Sequence, residues 1–162
     1  MRRYLRYLQF VIKHKWHVSI ECFKQGLIWQ GITHDLSKFS FDEFIPYAKH
    51  FYNSDGSGKE IRDRTGYYKP TKTGDKNFDI AWLYHSKRNR HHWQYWCNPE
   101  EKKGIICYEI PEKYVKEMIC DWMGARKSQK VTAPVIEWWN KNNKKMQLHL
   151  NTRNLIEKFL GV

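Results

Sequence analysis

The sequence predicts a single all-α domain with at most a small hairpin, and three observations lead there. Residues 3 to 28 carry an apolar stripe (Tyr4, Leu8, Val11, Val18 and Cys22) at steps of three and four residues or multiples of them, the period of a helix. Later segments are punctuated as helices are, with acidic first turns, Pro at starts and Gly at ends. The 162 residues suit one core and leave no room for two domains, and 41% apolar residues supply that core, which excludes global disorder.

Each element follows in order. After the first helix, Gly26 and Gly31 mark a bend, and a second helix is expected over WQGITHDLSKF. A third begins near Ser40, with Asp42 and Glu43 in its first turn where carboxylates complement the helix dipole, and runs to about Tyr52. Residues 53–77 change character, with Gly, Ser, Asp, Lys and Arg dominating and only Ile61, Tyr67 and Tyr68 as large apolar residues. A long basic loop is expected there, either a lid over an anionic substrate or a plain insertion. Helix resumes over 78–96, Pro99 to Gly104 forms a turn, and IICYEI is extended. Helices then run from Glu112 to Gly124, from Pro134 through IEWWNKNNKKM, and over NLIEKFL, the last capped by Asn151 or Thr152. No internal repeat is present.

Lys and Arg outnumber Asp and Glu by 29 to 17, a formal charge of +12, so the expected partner is anionic: a phosphorylated metabolite, nucleic acid or an acidic surface. No stretch reaches the roughly 18 to 20 apolar residues of a membrane span. The N-terminal MRRYLRYLQFVIKHK lacks the apolar run and cleavage site of a signal peptide, so a cytoplasmic protein without a membrane partner is expected. Cys22, Cys97, Cys107 and Cys120 form no Cys-x-x-Cys pair, which argues against a zinc knuckle and leaves buried, reduced thiols as the expectation.

The sharpest local feature is His34-Asp35. Adjacent imidazole and carboxylate donors can bind one divalent ion of manganese, iron, cobalt, nickel or zinc. His14 lies on the apolar stripe in line with Val11 and Val18, whereas His17 shares a face with Lys13 and Lys24. A histidine among core residues needs a polar partner. His85 and His92, seven residues apart, would point the same way from a continuous helix, with His91 displaced by about 100°. Asp121 sits on a face with Tyr114, Glu117, Met118 and Ala125, a largely apolar setting for a carboxylate. His and Asp residues spread over four helices point to a site assembled in a bundle core.

The order His14, His34-Asp35, His91-His92, Asp121 resembles the HD-domain superfamily of metal-dependent phosphohydrolases. In that superfamily the first His is followed four residues on by an apolar residue, here Val18, and the His-Asp pair runs on to Lys, here Lys38. The segments HKWHV, HDLSKFS, RTGYYKPTKTGD, RNRHHWQYW, EMICDWMGA and KNNKKMQLH look more narrowly like a family of uncharacterised bacterial and phage proteins. The superfamily resemblance covers residues 10–125, with the helices of 134–162 outside it, and implies an HD-like helical bundle. It implies His14, His34, Asp35 and Asp121 as ligands of one ion and His85, His91 and His92 as candidates for a second. His14 and His34 are closer in sequence than in many HD proteins, which makes His17 the alternative first ligand.

The function implied is metal-dependent hydrolysis of a nucleotide or another small phosphorylated compound. Asp35 would bridge or orient the attacking water and Lys38 would grip a phosphate as a point charge. Arg88 and Arg90 would make bidentate phosphate contacts, and Glu43 is a candidate general base. The alternatives are a di-iron oxygenase of the HD type and a basic nucleic-acid-binding protein without catalysis. Against the last, Trp93, Trp96, Trp138 and Trp139 at helical spacing read as packing residues.

Overall fold

The computed structural model describes residues 1–61 and 71–162. Among them the chain is mostly helical, and its first helix, α1 (Arg2–Lys24), buries the stripe Tyr7, Val11, His14, Val18 and Cys22. It stops at Gln25 rather than residue 28, because Gly26 takes a left-handed φ of 71° that turns the chain.

The expected second helix is broken. α2 spans only Ile28–Thr33, Asp35 adopts φ 54°, and Leu36–Phe39 form a 3-10 turn. The break is held from α1, where Lys15 Nζ donates to the carbonyls of Ile32 (2.5 Å) and His34 (2.9 Å) and Ser19 Oγ to that of Gly31 (2.7 Å). These bonds satisfy carbonyls that a continued helix would have used.

α3 (Phe41–Phe51) lies where expected. α4 (Lys76–Arg88) starts inside the expected basic loop, with the Asp75 carboxylate accepting from Phe78 N–H as its cap, and it stops at Arg88 rather than Trp96. Asn89 ends it by donating its side-chain amide to the His85 carbonyl at 2.8 Å. His91 and His92 therefore sit on an irregular segment before a 3-10 turn, Trp93–Trp96, and not on the face of α4. Of the expected loop, residues 53–58 form a turn in which Asp55 accepts from Ser57 N–H and Tyr52 bridges Gly58; residues 62–70 fall outside the described part.

β1 (Cys97–Glu100) and β2 (Gly104–Cys107) form the small antiparallel hairpin. α5 runs from Glu112 to Ser128, past the expected stop at Gly124. That glycine is there for close approach: a Cβ at position 124 would lie 2.8 Å from the backbone nitrogen of Val18, so it is where α5 crosses α1. α6 (Val135–Asn142) and α7 (Leu150–Leu160) close the chain, and His149, not Asn151 or Thr152, caps α7. Thr152 is buried and accepts from Ile110 N–H instead.

One apolar cluster joins α1, α3 and α4 (Tyr7, Val11, Tyr47, Ala48, Phe78, Ala81), and another joins α5, α6 and α7 (Val115, Met118, Trp139, Ile156). Trp93, Trp96 and Trp138 pack against the second, in agreement with a packing role for these aromatics. No described helix is long and apolar enough to cross a membrane.

Candidate metal centre

Between the two apolar clusters lies a buried polar one. On α1 the apolar stripe is interrupted at His14, and on α5 Asp121 follows the buried Cys120. The break after α2 supplies His34 and Asp35. Neighbours on a continuous helix point about 100° apart, and the left-handed residue lets both aim inward.

Asp35 is the hub. His14 Nε2 lies 3.5 Å from Asp35 Oδ2 and 3.1 Å from Asp121 Oδ1, and His34 Nε2 lies 3.4 and 3.5 Å from the same two oxygens. On the other side, Asp35 Oδ1 is 3.4 Å from both His85 Nε2 and His91 Nε2, and His92 Nε2 is 2.8 Å from that of His85. Two ligand sets share Asp35, His14/His34/Asp35/Asp121 and Asp35/His85/His91/His92, and a third group, His34/His91/Glu117, adjoins them, each with its donor atoms within 4.8 Å of one another. His17 joins none of them among the described residues; His14 is the histidine that faces the cluster.

The backs of three of the rings are held, whereas His14 Nδ1 is buried without a hydrogen-bond partner. Glu117 Oε1 accepts from His34 Nδ1 at 3.1 Å and lies 3.3 Å from His91 Nδ1, so one carboxylate orients a histidine of each set. Glu43 Oε2 accepts from His85 Nδ1 at 2.8 Å, joined by Ser37 Oγ at 2.9 Å. A carboxylate only accepts, so these bonds place the proton on Nδ1 and leave the Nε2 lone pair facing the cluster, the form that binds a metal.

The electrostatics agree for His85 and His92 but not for His34, which is cationic and would release a proton on binding a metal. Burial would raise the Asp35 carboxyl, but His34 and Lys38 outweigh it and hold it well below the usual carboxylate range. Burial likewise works against a charged His34, but Asp35, Asp121 and Glu117 push it up to about 10. Burial keeps His85 and His92 well below their ordinary value, hence neutral.

Whether these residues fit a metal is answered by atoms left without partners. His14 Nε2, His34 Nε2, His91 Nε2 and Asp35 Oδ1 are all buried and make no well-formed hydrogen bond, only the 3.1 to 3.5 Å approaches within the cluster, and such atoms cost about 1 to 3 kcal/mol each when left unsatisfied. Donor atoms bound to a common ion at about 2.1 Å stand roughly 3.0 to 3.4 Å apart, close to the spacing here. Donors of this type suit first-row transition ions, and shared Asp35 oxygens suit two of them.

The cluster opens onto a cleft of about 1040 Å³, lined on the cluster side by His14, Lys38, His92 and Asp121 and elsewhere by aromatic residues such as Trp82 and Trp122. Lys38 Nζ lies 2.5 Å from Asp35 Oδ2; burial would lower its pKa, but Asp35 outweighs that and keeps it cationic at the mouth.

Three residues given site roles by the sequence lie away from the cleft. Glu43 is fully buried behind His85 and does not line the cleft, where a general base was expected. Arg88 is spent on Asp42 (2.6 Å) and Glu43 (2.9 Å), and Arg90 donates to Tyr114 Oη at 3.0 Å. Neither arginine lines the cleft. Glu117, Lys15, Ser37 and Asn89 received no role from the sequence. The i, i+4 spacing of Glu117 and Asp121 on one apolar helix face is the signal that would have found Glu117.

Fold and site together define a helical protein with a buried, carboxylate-bridged histidine cluster able to hold metal. The chain belongs to a family of unknown function (DUF5662), whose model matches residues 3–162. No curated protein and no solved structure matched it.

Proposed function

We propose that this protein is a metal-dependent phosphohydrolase acting on a nucleotide or another small phosphorylated compound. The observation that carries the reading is the set of unpartnered Nε2 atoms around Asp35, whose two oxygens serve two ligand sets beside a cationic Lys38. Divalent ions so bound would lower the pKa of a water toward neutrality and neutralise phosphoryl oxygens. The chain's own residues do the rest. Asp35 presents one oxygen to each set, Glu117 and Glu43 fix the ring orientations, and Lys38 offers a point charge to a phosphate entering the cleft. The cleft's tryptophans offer faces for a flat organic group.

The test is metal content per chain, followed by phosphate release from a panel of nucleotides and sugar phosphates with manganese or cobalt. About one or two ions are expected in the wild type, and fewer in Asp35→Ala. Asp35→Asn, which tolerates the left-handed backbone, separates loss of a ligand from loss of the turn. Absence of metal after reconstitution, or of phosphate release across the panel, overturns the reading. A second reading, a di-iron oxygenase, is favoured by the three histidines that share Asp35 in the second set. Two irons per chain with a visible chromophore would support it, and colourless protein would exclude it.

A further inference from the structure

The hairpin that follows the His91–His92 segment carries two of the four cysteines. In its antiparallel register Cys97 stands opposite Cys107. Tyr108 N–H donates to the Trp96 carbonyl at 2.9 Å, which puts the two cysteines at a non-hydrogen-bonded position of the ladder. At such positions side chains are closest, with Cα atoms about 4.5 Å apart, inside the roughly 4.4 to 6.8 Å that a disulfide spans. Both thiols are turned to one side, within reach of the same acceptor, the Gln147 carbonyl, at 3.6 and 3.3 Å, with the Trp93 carbonyl also 3.5 Å from Cys97 Sγ. Both are half-buried and free, contrary to the sequence expectation of buried thiols, which holds only for Cys22 and Cys120.

We propose that Cys97 and Cys107 are a reversible oxidation site, at which a low-molecular-weight disulfide closes a cross-strand disulfide in the hairpin. Burial and the neighbouring Cys107 thiol push Cys97 up to about 12, which disfavours it as the first nucleophile. The Cys107 thiolate displaces one half of the small disulfide as a thiol, forming a mixed disulfide. Cys97 then gives up its proton, attacks the Cys107 sulfur and releases the second half. The protein loses two protons and two electrons, and the small disulfide is reduced to two thiols. Closure also withdraws the S–H donors from the carbonyls of Gln147 and Trp93. Cys22 and Cys120, buried between α1 and α5, give the oxidant no access and serve as an internal control.

The experiment incubates the full-length protein with oxidised glutathione, alkylates remaining thiols under denaturing conditions, and reads intact mass and peptide map. The expected result is a loss of two hydrogens, half of the cysteines protected from alkylation, one cross-linked peptide joining Cys97 to Cys107, and full reversal by dithiothreitol. Cys97→Ser should stop at a mixed disulfide on Cys107. A stable glutathione adduct on the wild type, a bridge between Cys22 and Cys120, or four alkylated cysteines would each overturn the proposal.

Discussion

Glu117→Gln tests the organisation of the site with one atom's difference. The carboxylate oxygen Oε1 touches His34 Nδ1 and His91 Nδ1, one histidine from each ligand set. Burial would raise the Glu117 carboxyl, but the two histidines hold it down to about 2, so the interaction is with a full negative charge. Glutamine keeps the volume and removes that charge. Its amide oxygen, in the place of Oε1, can still accept from both rings, but as a neutral acceptor instead of a charged one. Loss of such an orienting partner typically weakens metal binding about 10- to 100-fold, or roughly 1.4 to 2.7 kcal/mol. Because the oxygen is shared, both ions should weaken together. Glu43→Gln is the matched comparison, since His85 is the one candidate ligand that Glu43 touches, beside Ser37 and Arg88, and the change should weaken the second set alone. Competition with a chelating dye, titrated with manganese, reads both affinities, and thermal unfolding of the metal-free proteins confirms that the variants fold. Unchanged affinity in Glu117→Gln, or a loss confined to one ion, would refute the claim that this carboxylate orients both sets.

Three further outcomes are expected. Gly124→Ala places a methyl against the backbone of Val18, which cannot move aside, and should cost about 1 to 3 kcal/mol in denaturant unfolding; an unchanged midpoint would mean that α1 and α5 part easily. Lys15→Met removes the donor that holds the carbonyls of Ile32 and His34, and should cost about 1 to 2 kcal/mol while weakening metal binding through the displaced Asp35 turn; stability loss without any change in metal binding would show that the turn is held otherwise. Glu21 accepts from Lys127 and Lys24, and although burial would raise its carboxyl, these lysines hold it below its ordinary value of 4.5. A depressed carboxylate stabilises the fold above its unfolded pKa and loses that contribution as pH falls through the folded one. The stability gap between wild type and Glu21→Gln should therefore be present near neutral pH and shrink below about pH 4.5, and a gap independent of pH would contradict the sign.

What was legible in the sequence is what depends on short-range periodicity. The stripe of α1, the acidic start of α3 and the Pro-led start of α5 are local patterns, and each helix lies where its pattern begins. The helix ends depart from the local pattern wherever a distant residue decides them. Gly124 reads locally as a stop, but Val18, over a hundred positions away in sequence, makes it a crossing point inside α5. Nothing within WQGITHDLSKF announces that Lys15 and Ser19 on another helix will take over its carbonyls. The segment after Arg88 is similar, since Asn89 both closes α4 on the His85 carbonyl and donates to Ser37 Oγ at 2.8 Å, a residue from the broken second helix.

These two helix breaks coincide with the two ligand sets, and geometry explains why. An unbroken helix can direct His34 or Asp35 at a common point, but not both, and the same holds for His91 and His92. Asp35 accepts an uncommon left-handed backbone, and His91 and His92 leave the helix altogether, so that adjacent side chains converge. A helical reading of those segments aims His92 with His85 and turns His91 away; the structure gathers all three around one carboxylate. Local propensity and global arrangement therefore disagree at the cluster, and such disagreement is expected where a site, rather than the core, sets the backbone. The residues that enforce it, Lys15 on the first break and Asn89 on the second, belong to the site as much as the ligands do, although neither offers a donor to it.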